Sequence, residues 1–337
     1  MNNAPAFQDF LPQGDEITVL QDQIRNGRMV HALLITGEDG TGKRTLARLI
    51  ASALLCRSEE NRPCGICSSC IRVSDNEHPD LITIEKGVPL TNESRKSKAS
   101  IPVDDIREMI HLSSSYPFEG GNRVILIANA EDMTPQAQNC LLKILEEPPD
   151  NTYFVLTSGH PEQLLVTVRS RCRFLKLRPW EENRIIDILE KCGSDPERAR
   201  LAAAACHGSI GYAKQLTADE EYWKMRDDIV TSFFRSGERS SILSVSSRWK
   251  ENKADAEKLF DTLEECVRIM MIYRIEKKED QRMNGFSDAW RRFAAEADPE
   301  RFVFLLHRII DARKQYGSNV SIQAIVEQLL LSFMGVI

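Results

Sequence analysis

The 337-residue sequence lacks the features that would place it in a membrane or outside the cell. No run approaches eighteen apolar residues, so no membrane-spanning helix is predicted. The N-terminal segment, residues 1–6, lacks the basic and apolar parts of a secretory signal. An excess of positive charge is also lacking, since the formal net charge is −6, which argues against wholesale wrapping of nucleic acid. We therefore expect a cytoplasmic protein of two or three domains.

A phosphate-binding loop is present, although its last position is altered. Residues 37–45 read Gly-Glu-Asp-Gly-Thr-Gly-Lys-Arg-Thr, which fits G-x-x-x-x-G-K between an apolar strand and a helical pattern. Arg44 stands where the motif has the serine or threonine that holds magnesium. Thr45 comes one residue late, a rotation of about 100° on a helix. The candidate nucleotide-binding residues are Gly37, Gly40, Gly42, Lys43 and Thr45. The loop predicts either ATP or ADP binding or a fold element that stays empty.

The carboxylates that normally complete such a site are missing from their expected place. The strand at 124–127 should end in a magnesium-holding aspartate, followed in many ATPases by a water-activating glutamate. It ends instead in Ala128 and Asn129, which cannot replace carboxylates in either role. Glu131 and Asp132 follow soon after. If the strand end is aligned with the motif in the wrong register, one of these two residues is the missing acid. We do not expect hydrolysis.

Four of the nine cysteines form a closely spaced cluster. Cys56, Cys64, Cys67 and Cys70 are arranged as C-x7-C-x2-C-x2-C, a spacing that lets a tight turn supply several thiolates to one tetrahedral zinc ion. Disulfides are scarce in the cytosol, so a metal site is favoured over bridges. No histidine or aspartate within the cluster would leave an open coordination position, and the predicted site is structural. The alternative is a set of incidental or redox-active cysteines.

Strands alternate with helices in the first half of the chain, which predicts an α/β domain with a parallel sheet. The predicted strands are 30–36, 81–85, 123–128, 152–158 and 172–177. Beyond residue 179 the strand signals end and only helical patterns remain. The sequence predicts three domains: an α/β P-loop domain at 1–178 with a zinc-binding insertion at 56–70, a small helical domain at 179–216, and an all-helical domain at 217–337.

Two further motifs carry a specific resemblance. Residues 137–149 contain N-x-L-L-K-x-L-E-E-P-P, and residues 170–172 read Ser-Arg-Cys. Together with the P-loop and the cysteine cluster, in this order, they resemble the clamp-loader branch of the AAA+ ATPases. Within that branch the chain is most similar to the delta-prime family of bacterial DNA polymerase III subunits. The resemblance is strong over residues 20–180 and mostly architectural beyond them.

The resemblance implies a role in a pentameric ring that opens the sliding clamp and closes it on primed DNA. It also implies that the helical domain at 179–216 is a lid and that the one at 217–337 is the collar that holds the ring together. The partners would be the motor subunits gamma or tau, the delta subunit, the sliding clamp and primer-template DNA. Carried over, Arg171 of the Ser-Arg-Cys motif would be an arginine finger that reaches a neighbour's ATP site; otherwise it is an exposed arginine near a strand start. Gly211 stands where active members of the family place an arginine.

These observations favour a subunit that does not hydrolyse ATP and that donates Arg171 to an adjacent ATPase. A structural zinc ion would stabilise its cysteine segment. One alternative is a motor-type clamp-loader ATPase whose acid lies in a different register. The other is a zinc-dependent nucleic-acid-binding module, although Arg57, Arg62 and Arg72 near the cysteines are accompanied by Glu59 and Glu60 and by no interleaved aromatic residues.

Overall fold

The fold is taken from a computed structural model that divides into two compact units, Met1–Trp180 and Glu181–Ile337. The structure describes the following residues: 6–58, 61–88, 90, 100–119, 121–235, 242–247, 249, 253–276, 283, 286–318 and 320–335. No described helix is both long enough and apolar enough to cross a bilayer. The predicted division of the second unit into a lid and a collar stays a prediction.

The first unit is an α/β domain. Its elements in chain order are α1 (Phe7–Phe10), α2 (Asp15–Arg25), β1 (Ala32–Thr36), α3 (Lys43–Leu55), α4 (Ser68–Ser74), β2 (Leu81–Ile84), α5 (Val103–Ser113), β3 (Arg123–Ile127), α6 (Pro135–Glu146), β4 (Thr152–Ser158), α7 (Val166–Arg169) and β5 (Arg173–Lys176). Short 3-10 turns lie at Leu11–Gln13, Ala130–Asp132 and Pro161–Gln163. All five predicted strands are present, and the predicted fold class is confirmed.

The five strands form one parallel sheet in the order β2-β3-β4-β1-β5. Strands β1 and β3 are buried along their whole length, as expected for a parallel sheet covered on both faces. In register, Thr36 at the end of β1 lies opposite Ser158 at the end of β4. Because carboxyl ends of parallel strands share one edge, the segments after β1, β3 and β4 meet there. This edge positions the candidate nucleotide site.

Helices α5 and α6 share an apolar core with the sheet. The residues of this core include Ile106 and Met109 of α5, and Leu141 and Leu145 of α6, each no more than 1% exposed. The spacing of the two leucines by four residues puts them on one helix face. Thr134 caps the start of α6 by accepting a hydrogen bond from the backbone of Ala137 at 3.2 Å. The N-x-L-L-K segment therefore lies on a helix whose apolar face packs against the sheet.

The second unit is helical throughout its described part. Its helices are α8 (Glu182–Lys191), α9 (Pro196–Ala205), α10 (Ile210–Ala218), α11 (Glu220–Val230), α12 (Ile242–Ser246), α13 (Lys253–Glu276), α14 (Asp288–Glu296), α15 (Pro299–Gly317) and α16 (Ile322–Met334), with a π-helical turn at Thr231–Arg235. Its core contains an aromatic cluster built from Phe233, Phe234, Trp290 and Phe333, whose rings contact one another edge-on or tilted. The predicted helical character of this half is confirmed.

Candidate nucleotide site and metal centre

The P-loop joins β1 to α3 and has the backbone that its glycines predict. Gly37, Gly40 and Gly42 have φ of 151°, 75° and 98°, a region that L side chains rarely adopt. A Cβ on Gly37 would lie 2.8 Å from the carbonyl oxygen of Leu177, so the first glycine is also required by close packing. The indole nitrogen of Trp180 donates to the carbonyl of Thr41 at 2.8 Å and fixes the loop from outside.

Lys43, the P-loop lysine, is folded back onto its own loop. Its ammonium group donates to the carbonyl oxygens of Gly37 at 2.8 Å and Glu38 at 2.9 Å, and to Oδ1 of Asp39 at 3.2 Å. The lysine side chain is 5% exposed, whereas that of Asp39 is 93% exposed. Burial of an ammonium group is tolerated because every donor has an acceptor.

The magnesium-binding position of the loop offers no hydroxyl in the described structure. Arg44 is exposed and forms an ion pair with Glu85. Thr45, the displaced hydroxyl, lies on the first turn of α3 and is exposed. The loop thus provides backbone amides and a lysine for phosphate, but at the motif's last position an arginine replaces the metal ligand.

The end of β3 also differs from an ATPase. Ala128 is fully buried, and Asn129 adopts a left-handed conformation with φ of 49° while its backbone N–H donates to Oγ1 of Thr157 at 3.0 Å. The chain then enters the 3-10 turn and brings Glu131 back toward the end of β4. Oε1 of Glu131 accepts a hydrogen bond from the backbone of Gly159 at 2.7 Å. Asp132, by contrast, pairs with Lys86 at 3.3 Å.

Ser158 is the last residue of β4. Its side chain is fully buried, and Oγ accepts a hydrogen bond from the backbone N–H of His160 at 3.2 Å. In the second unit, Gly211 lies in the first turn of α10. A glycine supplies no positive charge there.

The four predicted zinc ligands converge. The sulfur atoms of Cys56, Cys64, Cys67 and Cys70 all lie within 4.8 Å of one another. Tetrahedral zinc with bonds of about 2.3 Å requires sulfur–sulfur distances of about 3.8 Å. The Cys56–Cys67 and Cys64–Cys70 pairs are each 4.0 Å apart. The donor set and its spacing therefore fit a four-thiolate zinc ion.

Backbone N–H groups point at the sulfur atoms of the cluster. Cys56 accepts N–H groups of Ser58 and Cys64, each at 3.4 Å, and Cys67 accepts that of Cys70 at 3.4 Å. Burial raises the pKa of Cys67, but hydrogen bonds from backbone N–H groups outweigh it and lower that pKa to about 6. Burial raises the pKa of Cys70 to about 12. Because Cys56 directly follows α3 and Cys67 caps α4, a metal here would join the P-loop helix to the next helix.

Glu119 ties the cysteine segment to the sheet domain, a role that the sequence did not reveal. Its carboxylate accepts hydrogen bonds from Arg57 at 2.8 Å, from Arg72, and from the hydroxyl of Ser69 at 3.4 Å. The ring of His78 lies 3.5 Å away. Hydrogen bonds from the two guanidinium groups lower the pKa of Glu119 to about 2. Two arginines beside the cysteines thus share one carboxylate within the chain.

A buried ion pair holds the loop that carries Glu119. Asp80 and Arg123 have side chains 1% and 2% exposed, 3.5 Å apart. Asp80 accepts the backbone N–H groups of Phe118 at 2.7 Å and Glu119 at 3.0 Å. Arg123 donates to the carbonyl oxygens of Leu112 and Ser115, each at 2.7 Å. The signal for this network in the sequence was Arg123, a charged residue at the start of the otherwise apolar strand β3.

Arg171 lies between the end of α7 and β5. The Cys172 side chain beside it is buried, whereas that of Arg171 is 31% exposed. Its guanidinium donates to the carbonyl of Thr167 at 2.8 Å and forms an ion pair with Glu146 at the end of α6. The Ser-Arg-Cys and Glu-Glu-Pro-Pro motifs therefore meet at one arginine–carboxylate contact, which was not predicted from the sequence.

Comparison with known proteins supports one family. A family model described as DNA polymerase III, delta subunit, matches residues 13–181. The chain is 26% identical over 318 residues to the DNA polymerase III subunit delta' of Bacillus subtilis, covering 93% of each protein. It is 34% identical over 224 residues to subunit delta' of Escherichia coli, covering 65% of this chain and 64% of that protein. It is 31% identical over 218 residues to subunit tau of Escherichia coli, of which it spans 32%.

Among solved structures, a gamma subunit-related protein from Thermotoga maritima aligns with 94% of this chain and 99% of its own, at 16% identity and a TM-score of 0.45.

Proposed function

The chain belongs to the DNA polymerase III delta-subunit family, and from this premise we propose that it is a non-hydrolysing subunit of the bacterial replicative clamp loader. Of the family, it most resembles the delta' subunits. The supporting observation is an asymmetry. The nucleotide-binding apparatus is depleted at Arg44, at Ala128-Asn129 and at Gly211, whereas the Arg171 motif is intact.

Arg171 is proposed to act in trans as an arginine finger on a neighbouring ATPase. A guanidinium group is permanently charged and stabilises the charge that develops on a transferring γ-phosphate. Its partial exposure and its position beside the buried Cys172 support this role. Arg171 pairs with Glu146 within the chain. On binding a neighbour's γ-phosphate, its guanidinium group would exchange this carboxylate for an anion of higher charge.

The proposed partners are those of a heteropentameric ring: the motor subunits gamma or tau, and the delta subunit. Through the ring the chain would support loading of the sliding clamp onto primer-template DNA. ATP-driven work and polymerase activity would belong to the assembly, and the cytoplasm is its proposed location.

The cysteine cluster is proposed to hold a structural zinc ion. Cys56, Cys64, Cys67 and Cys70 supply all four ligands, which leaves no open position for catalysis. The rival view, a nucleic-acid-binding zinc module, is disfavoured by Glu119, because this carboxylate already pairs with Arg57 and Arg72.

The motor-ATPase rival is tested on the isolated chain. We expect no ATP turnover above background, and no change on Lys43→Ala, because the strand-end acid and the motif's hydroxyl are both replaced. The same protein should co-elute with gamma or tau and delta in size-exclusion chromatography and be required for DNA-stimulated turnover. Steady hydrolysis by the chain alone that disappears in Lys43→Ala would overturn the non-hydrolysing role.

A further inference from the structure

Three ionisable groups from two chain segments surround one point at the end of β4. A Cβ atom on Gly159 would lie 3.2 Å from Oδ1 of Asp39, 3.4 Å from Oε1 of Glu131 and 3.7 Å from Nζ of Lys43. Asp39 and Lys43 belong to the P-loop, whereas Glu131 follows β3. Two carboxylates therefore accompany the lysine that reads outer phosphates in this loop type.

The lysine has no donor left for a ligand. An ammonium group offers three hydrogens, and those of Lys43 are directed to Gly37, Glu38 and Asp39. A phosphate would have to displace at least one of these acceptors. The hydrogen-bond donors of Lys43 are thus satisfied within the loop, and one of their acceptors is the carboxylate of Asp39.

Glu131 adds a fixed negative charge. Its Oε1 accepts the N–H of Gly159 at 2.7 Å, which holds the carboxylate against the backbone. Its Oε2 is buried and finds no hydrogen-bond partner among the described residues. Like charges a few ångströms apart repel strongly where solvent is scarce, so an incoming triphosphate and this carboxylate disfavour each other.

We propose that Glu131, assisted by Asp39, closes the P-loop against nucleoside triphosphates. The chain would then exclude nucleotide through carboxylates of its own in addition to having a poor magnesium site. This inference deepens the proposed non-hydrolysing function and rests on it. The opposite assignment, in which Glu131 replaces the missing strand-end acid and supports magnesium and nucleotide, predicts effects of opposite sign.

Nucleotide affinity decides between the two assignments. The full chain is titrated with a fluorescent ATP analogue and magnesium, as wild type, Glu131→Gln, and Glu131→Gln with Asp39→Asn. We expect affinity to rise at least tenfold in Glu131→Gln and further in the double variant. Adding Lys43→Ala to the double variant should remove the gain. Glu162→Gln is the matched control, because this exposed acid follows the same strand and pairs only with His160 among the described residues.

An unchanged or weakened affinity in Glu131→Gln would overturn the proposal, as would wild-type binding as tight as that of the double variant. Circular dichroism verifies that each variant is folded. The proposed function fails separately, by ATP turnover of the wild-type chain alone. A variant that gains binding without turnover supports both.

Discussion

Glutamine at position 119 would remove the charge that joins the cysteine segment to the sheet domain. Glu119 is the shared acceptor of Arg57 and Arg72, which flank the first and last cysteines of the cluster. Glutamine keeps the shape and one acceptor oxygen but loses both charge-assisted contacts. We expect the variant to fold and to be less stable.

The magnitude follows from the lowered pKa of Glu119. Its pKa is lowered from 4.5 to about 2 by hydrogen bonds from Arg57 and Arg72. One pKa unit corresponds to about 1.4 kcal/mol, so the upper limit is about 3 kcal/mol. The side chains of Arg57 and Arg72 are 59% and 34% exposed, and solvent screens both pairs. We therefore expect Glu119→Gln to lower the free energy of unfolding by about 1–2 kcal/mol at pH 7.

The pH dependence has a definite sign. Because the folded-state pKa of Glu119 is depressed, its contribution is complete above about pH 4.5 and is lost as the pH falls toward 2. Urea unfolding at pH 7 and in steps below pH 4.5 should show wild type and variant converging. High salt should shrink their difference at pH 7. Glu77→Gln, an exposed acid of the same region, is the control. A Glu119→Gln variant as stable as wild type at pH 7, or a difference that grows in acid, would refute this reasoning.

Two further variants test the metal centre and the buried network. Cys64→Ser should lose the single equivalent of zinc measured by chelator release, whereas Cys192→Ser, an exposed cysteine outside the cluster, should retain it; equal zinc content in both would contradict the assigned ligands. Asp80→Asn should destabilise the fold by about 3 kcal/mol in urea unfolding, because it leaves Arg123 buried without its counter-charge; a loss below about 0.5 kcal/mol would show that the pair is dispensable.

The sheet and the cysteine centre could be predicted because each has a local signature. Runs such as 124–127 are continuously apolar, and the spacings of the P-loop and of the cysteines each lie within one short segment. The predicted strand 172–177 corresponds to β5 at Arg173–Lys176. Local signals of this kind can be recognised in a sequence without knowledge of tertiary contacts.

The contacts between distant segments could not be predicted in the same way. Glu119 lies 62 residues from Arg57, and Glu131 lies 28 residues from Gly159, so no periodicity links them. The left-handed turn at Asn129 redirects the chain and decides where Glu131 points. Residue propensities alone do not predict the direction in which the chain leaves such a turn. Consequently Glu131 could be predicted only as a possible replacement acid, whereas in the structure both Glu131 and Lys43 approach Gly159.

The central claim is that this chain serves a neighbour's ATP site rather than its own, and the most direct measurement is DNA-stimulated ATP turnover by the reconstituted assembly carrying Arg171→Ala. We expect turnover to fall by at least tenfold with assembly intact by size-exclusion chromatography, because an arginine finger acts mainly on the transition state. Arg178→Ala, which removes an exposed arginine of the same unit, should leave turnover unchanged. Full turnover by an assembled Arg171→Ala complex would contradict the account.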